Sequence, residues 1–443
     1  MDFIHTLVQP YSVLVAASIL IVAYVFIAME KIPKVTIALI GAALTMFFGI
    51  VSVTKNLPDG TLDPHYYVNF IDFNVIFLLV SMMIIVNIST HTGMFNWVAN
   101  QLLKLTKGHP VAVLFVLALF TAFASAFLDN VTTVILIMPI TFYIAKVLDI
   151  SPIPFLIVEI LSSNIGGTAT LIGDPPNIII GSAAGFSFMN FVKELTGVVV
   201  IILLLVIGVM VLMFRKHLKT TPEKMAEIAN LDNSKTITDY VGMYRSIAVL
   251  FLVILGFVTH DLTHIPASLS AMAGASFLLL FEDPKHIIKD VEWNTIFFFI
   301  GLFIIIGGLE ASGGIAIMAK WLLDVTHGSE AATAMVILWG SGILSGVIDN
   351  IPYTVTMAPM IANIQSVMGA EYAHPLWWCL SLGACLGGNL TIIGAAANVI
   401  VSESAAANKH PISFMKFLLY GSITVVISLI TSTAYIYFRF LMH

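Results

Sequence analysis

Long runs without a single charged residue decide what this chain can fold into. They cover residues 13–29, 35–53, 75–86, 198–214, 247–258, 267–281, 296–306 and 417–438. A helix rises 1.5 Å per residue, so about 20 residues cross the ~30 Å hydrocarbon core of a bilayer. Roughly ten spans or re-entrant pieces of that size fit into the chain. With 59% apolar and 10% charged residues and a mean hydropathy of +1.01, the sequence lies far outside soluble composition. The expected fold is an all-α polytopic membrane protein. The opening MDFIHTLVQP has no Lys or Arg and so no basic n-region, and the first apolar run is expected to persist as a helix.

Basic residues orient such a protein. With the amino terminus outside, counting crossings puts Lys31, Lys34, Lys104, Lys107, Lys146, Arg215, Lys216, Lys219, Lys224, Lys235, Arg245, Lys285, Lys289, Lys409 and Lys416 on the inner side. Lys55, Lys193, Lys320 and Arg439 fall outside. The 19 basic residues thus divide 15 to 4, which selects a cell (inner) membrane protein with a cytoplasmic centre.

The chain also repeats itself. At an offset of 220, Asp72-Phe73-Asn74-Val75-Ile76-Phe77 meets Glu292-Trp293-Asn294-Thr295-Ile296-Phe297, Gly93 meets Gly313, Pro139 meets Pro359, and Asp129-Asn130 meets Asp349-Asn350. At 221, IGGTATLIGDPPN (165–177) meets LGGNLTIIGAAAN (386–398). Chance does not hold one register over such a distance. The reading divides the chain into a first repeat, 1–214, a cytoplasmic linker, 215–245, and a second repeat, 246–443. An odd number of crossings per half inverts the second copy, an arrangement found in secondary transporters whose site lies where broken helices of the halves meet.

Two motifs break the helices. FLDNVTTVILIMP (127–139) and SGVIDNIPYTVTMAP (345–359) place Asp129, Asn130, Thr132 and Thr133, and Asp349, Asn350 and Thr354, between apolar stretches. An Asp in hydrocarbon is costly and is usually kept for a pathway or a proton relay. Asp-Asn is also N-cap chemistry, so a helix is expected to start at each motif with its positive end toward the site. Hairpins are expected at about 111–147 and 332–368. The second motif, Gly-Gly with a following Thr and Gly, cannot continue a helix smoothly, and Pro-Pro reinforces the break in the first copy. Broken helices are expected at about 155–185 and 375–403. Unwound backbone at membrane depth must be buried or line a cavity. Gly166, Gly167, Asn164, Thr168, Thr170, Asn177, Asn389, Thr391 and Asn398 are expected to form a polar lining with the freed carbonyls. Asp174 has Ala395 as its counterpart, so the site is expected to be asymmetric. Glu159 reads either as a proton carrier or as a partnered structural carboxylate. Glu310 and His91 read as solvated residues near span ends.

Cys379 and Cys385 are six apart in one apolar run, ~9 Å along a helix axis, and predict neither a disulfide nor a metal cage. No nucleotide-binding loop, nucleic-acid patch or metal spacing is present in the sequence. No cofactor and no enzymatic reaction are expected.

At these motifs the chain resembles the ion transporter superfamily, and within it the arsenite permease (ArsB) and melanosomal P protein branch. The resemblance implies scaffold and transport units in each half, with hairpin tips at Asp129–Thr133 and Asp349–Thr354 and breaks at 166–177 and 387–398. Dicarboxylate carriers of the superfamily have Ser-Asn-Thr at the tips. Asp-Asn here argues against an anion, which a neighbouring carboxylate would repel. Proton-coupled efflux of neutral arsenite or antimonite is the first expectation. A sodium/proton antiporter, a small-anion carrier and an anion channel stay open. Expected partners are a small inorganic solute, protons and membrane lipids, with room for a homodimer and for a separate ATPase.

Overall fold

The structure, a computed structural model, describes residues 8–52, 55, 56, 62, 63, 65–229 and 236–442. Most of MDFIHTLVQP, part of the acidic 54–72 loop and residues 230–235 with Lys235 lie outside the described residues. Among those described, eighteen helices of ten or more residues follow in two successive sets of nine. The first set is α1 (Ser12–Met29), α2 (Lys34–Phe47), α3 (Phe73–His91), α4 (Met94–Leu105), α5 (Pro110–Ser125), α6 (Asn130–Leu148), α7 (Ile153–Gly167), α8 (Pro175–Ala184) and α9 (Phe188–Phe214). The second is α10 (Tyr240–Val258), α11 (Ala267–Leu279), α12 (Trp293–Ala311), α13 (Gly314–Val325), α14 (Glu330–Ile348), α15 (Asn350–Met368), α16 (Ala370–Gly387), α17 (Ala396–Ala407) and α18 (Phe414–Ile436). Order and length agree between the sets; α3 and α12 both have 19 residues, and α4 and α13 both have 12.

Eight of the described helices are long and apolar enough to cross a membrane, and four shorter apolar ones accompany them. The protein is an all-α multi-pass membrane protein. Its one β feature among the described residues is a short antiparallel ribbon, β1 (Lys55–Asn56) with β2 (Leu62–Asp63). Both faces of most helices are apolar. In α1, Ala16, Leu20, Ala23 and Ile27 are buried at helical spacing while Leu14, Ile21, Val22 and Val25 are exposed, the pattern of a helix with protein on one side and lipid on the other.

The packing is reciprocal. α2 lies against α12 and α11 against α3, while α8 meets α15 and α17 meets α6. Within each set α5 packs on α7 and α14 on α16. Small residues allow these close approaches, as expected where lipid removes the hydrophobic drive between helices. A Cβ on Gly301 would lie 2.7 Å from the Ala38 backbone, and one on Gly383 would lie 2.6 Å from the Leu338 carbonyl oxygen. Gly93 and Gly313, paired in the sequence repeat, both open a helix with positive φ, 80° and 86°.

The described parts of the linker hold the first set from one face. Lys224 Nζ sits 2.5 Å from Asp149 Oδ2, beyond the end of α6, and holds that carboxyl below its ordinary range. Thr220 Oγ1 donates to the Leu148 carbonyl at 2.5 Å, and Thr238 Oγ1 to that of His91 at 2.8 Å. The carboxyl ends of α3 and α6 therefore both face the linker.

Candidate functional site

The two Asp-Asn motifs start helices as their chemistry predicts, by different routes. Asp129 caps α6, its Oδ1 accepting the Thr132 N–H at 2.8 Å and its Oδ2 the Thr132 hydroxyl at 2.5 Å. Four residues separate α5 from α6. Only Asp349 separates α14 from α15, so the chain reverses through one residue, which adopts φ 106° and ψ 133°. For a non-glycine residue this is a strained conformation that its surroundings must hold. Asp349 Oδ1 accepts the Ile351 N–H at 3.1 Å, and Oδ2 lies 2.6 Å from Lys34 Nζ at the start of α2.

The glycine motifs interrupt helices as expected, between α7 and α8 and between α16 and α17. Their amides do not form a lining. Asn177 donates to the carbonyls of Thr168 and Thr170 at 3.1 and 2.8 Å, and Asn398 to those of Gly388 and Thr391 at 2.7 and 2.8 Å. Asn164 donates to Asn389 Oδ1 and Asn398 Oδ1, both at 2.9 Å, tying one broken helix to the other. Thr170 donates to the Ala126 carbonyl and Thr391 to that of Gly346, fastening each break to its neighbouring helix pair. Thr168 donates back to the Asn164 carbonyl. The physical reason is that an unwound segment leaves backbone carbonyls without donors, and buried carbonyls must be paired. The side chains nearest to them are used for that pairing. Gly166 and Gly167 serve contact: a Cβ on Gly166 would lie 2.1 Å from the Ala122 carbonyl oxygen, and one on Gly167 2.5 Å from Asn130 Oδ1. Replacing Asn164 with Ala leaves two buried amide oxygens without a donor, and we expect a loss of about 1–3 kcal/mol, read as a lowered Tm in detergent.

What the structure does bring together is acidic. A cavity of about 280 Å³ lies between both tips and both breaks, lined by Asp129, Asp174, Asp349, Glu292 and Lys34 among others. Asp174 does not cap its own helix. It lies beside the second tip, with Asn350 Nδ2 3.4 Å from both of its oxygens, and shares the cavity with Asn130 of the first. Ala395 lines the same cavity, so the expected asymmetry between Asp174 and Ala395 is present in one space. Thr354 donates to the Asn350 carbonyl at 2.7 Å and Thr133 is buried, and neither reaches the cavity. Glu159 is also outside it, buried and bonded by the Thr141 hydroxyl. His91 is exposed at the end of α3, and Glu310 is exposed near the end of α12.

Sequence reading missed Lys34 and Glu292. Lys34 looked like one more basic residue of the EKIPK turn, and Glu292 served only as the repeat partner of Asp72. One signal was available: Ile32-Pro33-Lys34 opens α2 as Ile265-Pro266-Ala267 opens α11, so a lysine stands where the other half has alanine.

One further space adjoins the cavity, and another is built from repeat-related positions elsewhere. One, of about 660 Å³, shares Met83 and Glu292 with it and is also lined by Asn87, Thr90, Ile135, Pro139 and the linker residue Thr236. The other, of about 150 Å³, is lined by Phe303, Gly307, Glu310, Val355, Pro359 and Asp72. Thr236 apart, the residues named in the two spaces correspond at the repeat offset of 220, in opposite directions for Glu292 and Asp72.

The citrate transporter family (CitMHS) matches residues 24–383. The chain belongs to that family. An uncharacterised transporter of Mycobacterium bovis is 40% identical over 430 residues, 96% of this chain and 98% of that protein. The P protein of Sus scrofa is 30% identical, with 96% of this chain covering 59% of that protein. The crystal structure of the YdaH transporter of Alcanivorax borkumensis superimposes with a TM-score of 0.55 at 14% identity, over 93% of this chain and 96% of that one. The last likeness shows the fold alone. Family membership makes this protein a secondary transporter of small solutes. The match is broader than the arsenite permease and P protein branch read from the motifs.

Proposed function

We propose that this family member works by alternating access through two inverted-topology repeats, 1–214 and 246–443, each with a re-entrant hairpin and a broken helix. In this reading the linker 215–245 is cytoplasmic and the amino terminus outside. The cavity exchanges protons for a small monovalent cation, with Na⁺ the first to test. The observation that carries the reading is the cavity's charge: four carboxylates face one ammonium. Among the described residues, Asp129, Asp174 and Glu292 have no cation partner. A free tricarboxylate, the cargo in the family's name, would have to approach all three. Two like unit charges ~4 Å apart repel by about 4 kcal/mol at an effective dielectric of 20.

Arsenite comes second here, although the sequence puts it first. That reading rests on a site lined by hydroxyls and amides, with two tip aspartates and no fixed cation, whereas among the described residues lining the cavity Thr295 is the one Ser or Thr and Lys34 supplies a cation. The amides of Asn130, Asn294 and Asn350 keep a neutral trihydroxy solute in play. Alternating access draws support from the two repeat-related spaces. Related positions build both, yet the one on the linker face is the larger, as in a carrier open toward one side.

Purified protein in liposomes with an entrapped pH dye tests this. Added Na⁺ is expected to change internal pH, while arsenite and citrate leave it unchanged. A response to citrate or arsenite with none to Na⁺ would reject cation exchange.

A further inference from the structure

The two tips carry the same Asp-Asn pair, yet among the described residues one of their aspartates has a cation partner and the other has none. Lys34 Nζ lies 2.6 Å from Asp349 Oδ2, and that aspartate side chain is 3% exposed. The other carboxylate near Lys34 is Glu30, at 3.9 Å and one turn earlier. The approach is built by the fold. Pro33 opens α2 so that its first side chain points at the tip, and Tyr24 of α1 donates to the Pro352 carbonyl at 2.5 Å in the first turn of α15. The corresponding residue of α11 is Ala267, which lines a different space and offers no charge. Asp129 accordingly receives hydrogen bonds from Thr132 of its own helix and faces Glu292 across the cavity.

We infer that Lys34 is a tethered cation that keeps Asp349 occupied and so limits the number of mobile cations the cavity exchanges in each cycle. The inference rests on the cation-exchange reading for its transport consequence; the pairing itself does not. A mobile cation and the lysine ammonium need the same carboxylate oxygens, and the lysine is held at hydrogen-bonding distance by its helix. Asp129, Asp174 and Glu292 remain for exchange. Removing the lysine adds Asp349 to them.

Two measurements on the full chain in liposomes test this. Carbodiimide labelling reports carboxyl groups that lack a cation partner in apolar surroundings, and it needs no knowledge of the solute. In the wild type, Asp129 is expected to take the label and Asp349 to resist it; in Lys34→Ala, Asp349 becomes labelled. Equal labelling of Asp349 in both proteins overturns the inference whatever is transported. The reversal potential for Na⁺/H⁺ exchange then gives the stoichiometry. Lys34→Ala is expected to raise the number of protons exchanged per cycle by one, and the charge-balanced Lys34→Ala/Asp349→Asn to restore the wild-type number. An unchanged reversal potential in Lys34→Ala, or a folded double variant without exchange, overturns it. Should Lys34→Ala not fold, the double variant alone decides: a wild-type reversal potential supports the tethered cation and lost exchange refutes it. A wild type that exchanges no Na⁺ rejects the cation-exchange reading and leaves the labelling test standing.

Discussion

Asp129→Asn is expected to cut gradient-driven transport by on the order of 10²-fold or more while the protein stays folded. Asparagine caps a helix as well as aspartate does, so α6 keeps its start and the Thr132 N–H keeps an acceptor. What is lost is a group that can take up and release a proton beside Asp174 and Glu292. A positioned proton-transferring group contributes on the order of 10²-fold or more, and we expect a loss of that size in the initial rate of solute-driven pH change. A monodisperse Asp129→Asn protein with wild-type rates would remove this residue from the mechanism. The matching change in the other half is less clean. Asp349→Asn leaves Lys34, whose side chain is 26% exposed, with Glu30 at 3.9 Å as its remaining ion-pair partner among the described residues, so the cost is expected to fall below the ~3–5 kcal/mol of breaking a fully buried pair. It is expected to lose transport for a different reason, because the freed Lys34 ammonium competes with the mobile cation for Asp129, Asp174 and Glu292, and it lowers the Tm as Asp129→Asn does not.

Gly166→Ala is expected to have the largest effect on folding. α7 runs against the backbone of α5, and a Cβ at 166 would lie 2.1, 2.4 and 2.6 Å from the carbonyl oxygen, Cα and carbonyl carbon of Ala122. Backbone atoms cannot rotate away as a side-chain tip can, so the two helices must separate. Overpacking of this kind typically costs about 1–3 kcal/mol. Here separation also pulls on the Thr170 bond to Ala126 and on Asn164, whose amide joins the two broken helices. The upper end of that range or beyond is expected, seen as a lowered Tm and poor recovery from detergent. Gly197→Ala in α9 is the control. Nothing lies within 4 Å of its added Cβ, and better helix propensity should leave stability unchanged or slightly raised. Equal behaviour of the two variants would mean that close approach at Gly166 is not what holds α5 to α7.

Much of the architecture was readable because membrane helices announce themselves locally. The uncharged runs match helices, and both Asp-Asn motifs and both glycine motifs fall at helix starts and interruptions. Roughly ten spans or re-entrant pieces were expected; among the described residues eight helices reach crossing length and four shorter apolar ones accompany them, helices such as α7 ending at the glycine motifs. Site residues were harder. Asp129, Asn130, Asp174, Asp349 and Asn350 do meet, while Asn177, Asn389 and Asn398 turn away to satisfy backbone and Asn164 donates to the amide oxygens of Asn389 and Asn398. Nothing in a list of polar residues says which will be taken up by an unpaired carbonyl nearby.

The sequence by itself determined that this chain lives in lipid, that its halves follow one pattern, and where its helices must begin and break. Those are properties of hydrophobic length, capping and glycine or proline backbone, all set within a few residues. Only the tertiary structure decided which charges share the cavity. Lys34 and Asp349 are 315 residues apart in the chain and 2.6 Å apart in space, and Glu292, just ahead of α12, lines one cavity with Asp129 and with the tips of both halves. Electrostatic partnership depends on distance through space, which no local pattern encodes.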